Sequence, residues 1–297
     1  MGNTPNVTGH THMLCMIGSP VDHSMSPATH TRALAKQGID AVFLVFDVDA
    51  EDVPDVMRAF RRMGGWDGGN VTMPCKQAVI PCLDEISPAA ELMGAVNAFR
   101  KEPDGRITGH NTDGEGFMNN LINNGVEVEG ATMTLVGPGG AGSAILVQAA
   151  LDGVARLNVF AREGGTSYRH AQSIAGRVSE KTGCDVRIYP LEDTEELRAR
   201  LAESTILANG TNVGMGEGST DTPVPAEVLH AGLAVADVIY TPAQTQLLRD
   251  AAACGARTFN GLGMLNEQAV VAERVWYGLD AREAIEQTAA ELAALEE

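Results

Sequence analysis

From Met13 to Ile17 the chain is uninterruptedly apolar before it breaks at Gly18-Ser19-Pro20, a pattern that predicts a short strand. Ser26-Pro27 then opens a helix, with Ser26 as its N-cap and Pro27 in the first helical position, running to about Gln37 and stopping at Gly38. The following pattern predicts a strand over 42–48, a helix over 51–63 and a strand over 69–73. A short helix over 89–93 precedes two strands, 95–100 and 106–110, paired around the turn Pro103-Asp104-Gly105. The segment 113–124 is helical in pattern and ends at Gly125.

A second series starts with a strand over 132–136, a glycine-rich turn and a helix from about 141 to 151. Further strands are predicted over 157–161, 185–189, 204–209 and 234–239, with helices between them. After Gly255 the pattern changes, and Gly261-Leu262-Gly263-Met264-Leu265 leads into two closing helices. Strands alternating with helices predict an α/β fold with mainly parallel sheets. The 297 residues suffice for two cores. We expect an N-terminal α/β domain over 13–114, completed by 260–297 as the closing helices return to it. The domain between, 115–259, has the spacing of a doubly wound, Rossmann-type nucleotide fold.

Composition narrows the function. The 21 basic and 39 acidic residues leave a formal charge of −18. Nucleic acid is therefore not an expected partner, and an anionic substrate must be met by local donors. No apolar run has the length of a membrane helix. The first twelve residues, MGNTPNVTGHTH, lack the apolar stretch of a secretory signal and are expected to form a disordered tail. The five cysteines are odd in number and form no CxxC pair, which points away from disulfides and zinc and toward a reducing cytoplasm. Cys75 adjoins Lys76, whose ammonium favours a thiolate, but no histidine stands near it in sequence and a catalytic cysteine is not expected. Nothing in the pattern chooses between a monomer and a homodimer.

Three stretches carry chemistry. Asn70-Val71-Thr72-Met73-Pro74-Cys75-Lys76 crowds an amide, a hydroxyl and a lysine into a strand-to-loop turn, and Asn111-Thr112-Asp113-Gly114 places a carboxylate just before a helix. Lys76 and Asp113 together make a proton-transfer pair for a carbinol-to-ketone reaction, although Asp113 also fits as a helix N-cap. Gly137-Pro138-Gly139-Gly140-Ala141-Gly142 matches the dinucleotide fingerprint between a strand and a helix. The following strand ends Arg162-Glu163, which offers both a guanidinium for the 2′-phosphate of NADP and a carboxylate for the ribose of NAD.

These motifs resemble the shikimate/quinate dehydrogenases from Met13 to about Ala284. Gly18-Ser19-Pro20, His23-Ser24-Met25-Ser26-Pro27, Gly94-Ala95-Val96-Asn97, Asn209-Gly210-Thr211, Val213-Gly214-Met215, Gly261 to Leu265 and Gln268 all stand in the family's order. The resemblance implies an NAD(P)-dependent oxidoreductase on shikimate or quinate, with Lys76 and Asp113 as the catalytic pair. It implies that Ser24 and Ser26 bind the substrate carboxylate, that Thr72, Asn97, Asp113 and Gln268 bind ring hydroxyls, and that Tyr240 closes over the carboxylate. It places cofactor on Gly137, Gly139, Gly140, Ala141, Gly142, Arg162, Glu163, Thr211, Met215, Gly261 and Met264, with no metal. Alternatives are the same chemistry on a related acid such as an aminoshikimate, or a ligand sensor without turnover.

Departures from the family pattern fall at Ala161-Arg162-Glu163, Thr241, Asn260 and Asn266. The family's Asn and Thr/Ser partners for a 2′-phosphate are missing beside Arg162, whereas the Glu163 carboxylate is present. NAD is therefore the expected cofactor ahead of NADP.

Overall fold

The computed structural model describes residues 7–295. The first six residues of the expected tail lie outside them. Residues 8–12 are ordered locally: Thr8 N–H donates to Thr11 Oγ1 at 2.9 Å, Thr11 N–H to the Thr8 carbonyl at 3.2 Å, and His12 already begins the first strand. The chain divides into two compact units. The first runs through Thr112 and resumes at Gln268; the second is Asp113–Glu267.

The first unit contains β1 (His12–Gly18), α1 (Ser26–Lys36), β2 (Ala41–Asp47), α2 (Val53–Arg62), β3 (Trp66–Val71), α3 (Cys75–Ala78), β4 (Glu85–Ile86), α4 (Pro88–Met93), β5 (Ala98–Lys101) and β6 (Ile107–His110). Its sheet has the order β2-β1-β3-β5-β6-β4. β1 lies parallel to β2 and β3, whereas β5 is antiparallel to both β3 and β6. Both faces of β1 are covered. Cys15 and Ile17 join Met57, Phe60 and Trp66 on one side, and Leu14 joins Leu34, Phe43, Ala272 and Trp276 on the other. This explains the unbroken apolar run, since a strand buried on both faces has no polar alternation to show.

Several local expectations shift. β3 occupies 66–71 rather than 69–73, because Cys75 N–H turns back to the Thr72 carbonyl at 2.9 Å and starts α3. Trp66, masked in sequence by its glycine neighbours, instead opens the strand opposite Met13. Ser26 is the first residue of α1 and not its N-cap, a position Met25 holds without a side-chain bond; Ser24 Oγ accepts the Ser26 N–H at 3.2 Å just before it.

The second unit contains α5 (Asp113–Asn123), β7 (Thr132–Val136), α6 (Gly140–Leu151), β8 (Arg156–Ala161), α7 (Thr166–Thr182), β9 (Asp185–Pro190), α8 (Thr194–Glu203), β10 (Ile206–Asn209), β11 (Ala234–Asp237), α9 (Gln246–Ala253) and β12 (Arg257–Phe259). The strand order is β12-β11-β10-β7-β8-β9, parallel throughout. That is the doubly wound order, whose direction of progression reverses between β7 and β10. Residues 142–147 and 149–150 of α6 are all buried, as befits a helix that is apolar on every side. α10 (Gly261–Tyr277) starts at Gly261 itself rather than after Leu265, and α11 (Arg282–Ala293) closes the chain. Among the described residues, no helix is long and apolar enough to cross a membrane, and no group of three or more metal-ligating side chains forms.

Candidate active site

In the first unit, β1, β3 and β6 run in one direction. Their carboxyl ends share one edge of the sheet with the amino end of β5. Backbone hydrogen bonds fix the loops there. Ser19 N–H donates to the Met73 carbonyl at 3.0 Å, Thr72 N–H to Ile17 at 2.9 Å, and Val96 N–H to Lys76 at 2.9 Å. A Cβ on Gly18 would lie 2.3 Å from Thr72 Cγ2, so only glycine lets the β1 turn approach Thr72 this closely. Lys76 sits, half-buried, in α3 rather than at the end of a strand. The four residues of α3 aim it from a short turn whose carbonyl is bonded to the segment just before Asn97.

Asn97 is 6% exposed, and both ends of its amide engage Thr112: Nδ2 donates to Thr112 Oγ1 at 2.9 Å, and Oδ1 accepts the Thr112 N–H at 2.7 Å. This amide therefore holds the turn that delivers Asp113, the first residue of α5. Thr112 was quoted in the motif without a role. Ser24 and Ser26 follow from the end of β1 at the opening of α1, and Gln268 is half-buried on α10.

Cys75 is no nucleophile, as expected, and the Lys76 ammonium does not lower its pKa. Its thiol is fully buried, donates to the Val48 carbonyl at 3.1 Å, and has its pKa pushed up by burial and by the nearby Asp49 carboxylate. Sequence proximity to Lys76 does not make it a thiolate.

In the second unit the glycine turn follows β7 at the point where strand progression reverses. Gly137 has φ +81°, and a Cβ there would fall 2.0 Å from Thr211 Cγ2. A Cβ on Gly142 would fall 2.1 Å from the Gly137 carbonyl oxygen, whereas one on Gly139 or Gly140 would meet nothing within 4 Å. Gly137 thus makes the turn, Gly142 lets α6 pack against it, and Gly139 and Gly140 face open space. This is the division of labour a pyrophosphate site requires, and the amino end of α6 supplies N–H groups to an anion. The residues present fit a dinucleotide.

Arg162 and Glu163 are exposed beyond β8. Glu163 N–H donates to Glu192 Oε2 at 3.3 Å, which brings a second carboxylate to this turn. Arg169 donates to the Gly164 carbonyl.

Thr211 and the exposed Met215 follow β10, the exposed Tyr240 follows β11, and Gly261 with the buried Met264 begins α10. A Cβ on Gly261 would lie 2.2 Å from the Val238 carbonyl oxygen. Beneath these loops lies a buried network that sequence reading did not single out. Asn209 Nδ2 donates to Asp237 Oδ1 at 3.0 Å, and Thr245 Oγ1 to Asp237 Oδ2 at 2.8 Å. Burial raises the Asp237 pKa, opposed by the donors of Ile239, Thr245 and Asn209. The available signal was an acid ending the apolar strand Ala234-Val235-Ala236-Asp237.

Residues 16–99 match the shikimate dehydrogenase substrate binding domain. A shikimate dehydrogenase (NADP(+)) of Listeria monocytogenes serotype 4b is 43% identical over 276 residues, covering 92% of this chain and 93% of that protein. The crystal structure of shikimate 5-dehydrogenase from Listeria monocytogenes in complex with shikimate and NAD matches with TM-score 0.93 and 40% identity, covering 98% of this chain and 99% of that one. Quinate dehydrogenase from Corynebacterium glutamicum in complex with NAD matches with TM-score 0.82 and 30% identity, covering 94% and 99%. At 43% identity across 92% of its length to one such relative, the chain belongs to the shikimate dehydrogenase family.

Proposed function

We propose that this protein interconverts shikimate and 3-dehydroshikimate, a secondary alcohol and its ketone, using a nicotinamide dinucleotide. Identity of 43% across 92% of the chain to a shikimate dehydrogenase carries the reading. Oxidation breaks the carbinol C–H bond, whose electron pair departs as hydride, and the O–H bond, whose proton passes to the Lys76–Asp113 pair. The bound nicotinamide supplies the hydride acceptor. The chain's own residues orient substrate and handle the proton. Ser24 and Ser26 hold the carboxylate beside the amino end of α1, while Thr72, Asn97, Asp113 and Gln268 meet ring hydroxyls and Tyr240 covers the carboxylate. Gly137, Gly139, Gly140, Ala141, Gly142, Thr211, Met215, Gly261 and Met264 hold the cofactor. Positioned proton transfer of this kind contributes about 10²–10⁴-fold in rate.

The finer reading is NAD ahead of NADP. It is supported by the Glu163 and Glu192 carboxylates at the end of β8, with Arg162 and Arg169 as the opposing charges. The relative from Listeria monocytogenes serotype 4b is named for NADP(+), so both cofactors belong in the assay.

Incubating the protein with shikimate or quinate and each oxidised cofactor, while following nicotinamide absorbance, tests the function. Lys76→Ala should lower kcat by about two orders of magnitude or more with cofactor affinity intact. Near-normal turnover in that variant overturns the role of Lys76; no turnover of either acid by the unaltered protein favours the ligand-sensing alternative.

A further inference from the structure

We propose that Asp237 is a positioning residue whose buried carboxylate sets both loops at the carboxyl ends of β10 and β11: the Thr211–Met215 loop through Asn209, and the Tyr240 loop through Ile239 and Thr245. The proposal rests on the reading above, in which Thr211 and Met215 serve the cofactor and Tyr240 the substrate.

Asp237 is 1% exposed and Asn209 and Thr245 are 0% exposed. Asp237 Oδ1 accepts from Asn209 Nδ2 and from Ile239 N–H, both at 3.0 Å, and Oδ2 accepts from Thr245 Oγ1 at 2.8 Å. All three donors are neutral. A carboxylate without a cation partner is costly to bury, which makes a purely space-filling role a poor explanation.

The acceptor character of Asp237 has a directional consequence. An amide can face a neighbour with either its oxygen or its nitrogen. Here Asn209 Oδ1 accepts the Thr211 N–H at 3.0 Å and the Thr211 hydroxyl at 2.7 Å. The backbone N–H of Thr211 can only donate, so oxygen must face it, and the Asn209 NH₂ must then point at Asp237. Only an acceptor at that place stabilises this orientation. The Thr211 proton is in turn committed to Asn209, which leaves Thr211 Oγ1 to accept the Val213 N–H at 3.0 Å. Hydrogen-bond polarity thus runs unbroken from Asp237 to the loop reaching Met215, and Thr211 Oγ1 presents acceptor lone pairs.

On the other side, the Ile239 N–H bond fixes the residue before Tyr240. Thr245 closes the same loop and caps α9, its Oγ1 accepting the Leu248 N–H at 3.3 Å. The two loops are also joined directly, Gly216 N–H donating to the Thr241 carbonyl at 3.2 Å.

The test compares Asp237→Asn, Asp237→Ala, Thr211→Ala and the double variant Asp237→Ala/Thr211→Ala. The readouts are Kd for NAD and NADP by calorimetry, kcat and KM with shikimate, and thermal midpoint. Asp237→Asn should stay within about threefold of the unaltered protein in cofactor Kd. Its carbonyl oxygen can still accept from Asn209 and Ile239, and the Thr245 hydroxyl can reverse. Asp237→Ala and Thr211→Ala should each weaken cofactor binding about tenfold or more, with the double variant no worse than the poorer single.

The proposal is overturned if Asp237→Ala leaves cofactor Kd within about twofold, or if the two losses multiply. It is equally overturned if Asp237→Asn is as damaging as Asp237→Ala, because charge rather than directed acceptance would then be acting. If Thr211→Ala alone leaves cofactor binding unchanged, the cofactor reading of that loop falls, and this proposal with it. Should Asp237→Ala not fold, Asn209→Ala breaks the same relay and enters the same cycle with Thr211→Ala.

Discussion

Removing His30 should destabilise the first unit by about 4 kcal/mol, and the reason is local. Glu273 on α10 is 0% exposed, and its carboxylate accepts from His30 Nδ1 at 3.0 Å and Gln37 Nε2 at 2.6 Å. The surroundings are apolar: the His30 ring stacks on Phe43 with centroids 5.0 Å apart and meets the edge of Trp276 at 4.9 Å. His30→Ala leaves the buried carboxylate with one donor. Losing a hydrogen bond to a buried carboxylate costs about 1.5–3 kcal/mol, and each of the two lost ring contacts adds roughly 0.5–1 kcal/mol. With a urea slope near 2 kcal/mol/M, the unfolding midpoint should fall by about 2 M. Tryptophan fluorescence isolates the event, since both tryptophans, Trp66 and Trp276, lie in the first unit. Glu273→Leu in the His30→Ala background should recover part of the loss, because it removes the stranded charge. A midpoint change below about 0.5 M for His30→Ala, with the slope unchanged, would refute the reasoning.

Three further outcomes are expected. Glu163→Ser and Glu192→Gln should each raise the ratio of kcat/KM for NADP over that for NAD several-fold, with a smaller change at high salt; an unchanged ratio in both removes those carboxylates from cofactor choice. Iodoacetamide near neutral pH should modify the half-buried Cys82 and Cys254 before Cys75, Cys15 or Cys184. Burial pushes Cys15 up to about 12 and Cys184 up to about 11, and mass spectrometry finding Cys75 labelled first in the folded protein would contradict its assignment. Burial also raises the Asp237 pKa, so its protonated form favours the folded state at low pH, and that contribution is lost as pH rises through the folded value. Relative to the unaltered protein, Asp237→Asn should therefore gain stability from about pH 4 toward neutrality in urea melts followed by circular dichroism, and a flat difference would contradict the raised value.

What sequence made legible followed from periodicity. β7 spans Thr132–Val136 as the pattern predicts, because an apolar run there is bounded by turn signals on both sides. β3 was placed three residues late at its start because Gly68, with Gly64 and Gly65 before Trp66, weakens the strand pattern; Gly68 and Gly69 both lie within the strand. Their lack of side chains answers to close neighbours, a Cβ at Gly69 falling 2.0 Å from the Cys15 carbonyl oxygen. Only the folded sheet shows that constraint. Glu192 and Asp237 escaped for a different reason. Each acts through a hydrogen bond across a long stretch of chain, Glu192 to the Glu163 peptide and Asp237 to Asn209, and no local spacing encodes such a partner.

The overall charge posed a problem that sequence raised and the helix ends address. A chain of net charge −18 must hold an anionic acid and an anionic cofactor. The first turns of α2, α4, α5, α8 and α11 carry Asp or Glu, which occupies the favourable field of each helix end. The first turns of α1, α3, α6, α7, α9 and α10 carry none. Of these, α1, α6, α7 and α10 open beside Ser24 and Ser26, at the glycine turn, beyond Arg162-Glu163, and at Gly261. At α10 the neutral Asn260 supplies the cap, its Oδ1 accepting the Leu262 N–H at 3.2 Å. An aspartate at 260 would accept the same N–H but add a negative charge at an end that otherwise keeps its partial positive one. The departure at Asn260 thus matches α1 and α6, whose opening turns also carry no acid beside residues proposed to meet an anion, whereas α5 opens on Asp113, the carboxylate proposed to handle a proton.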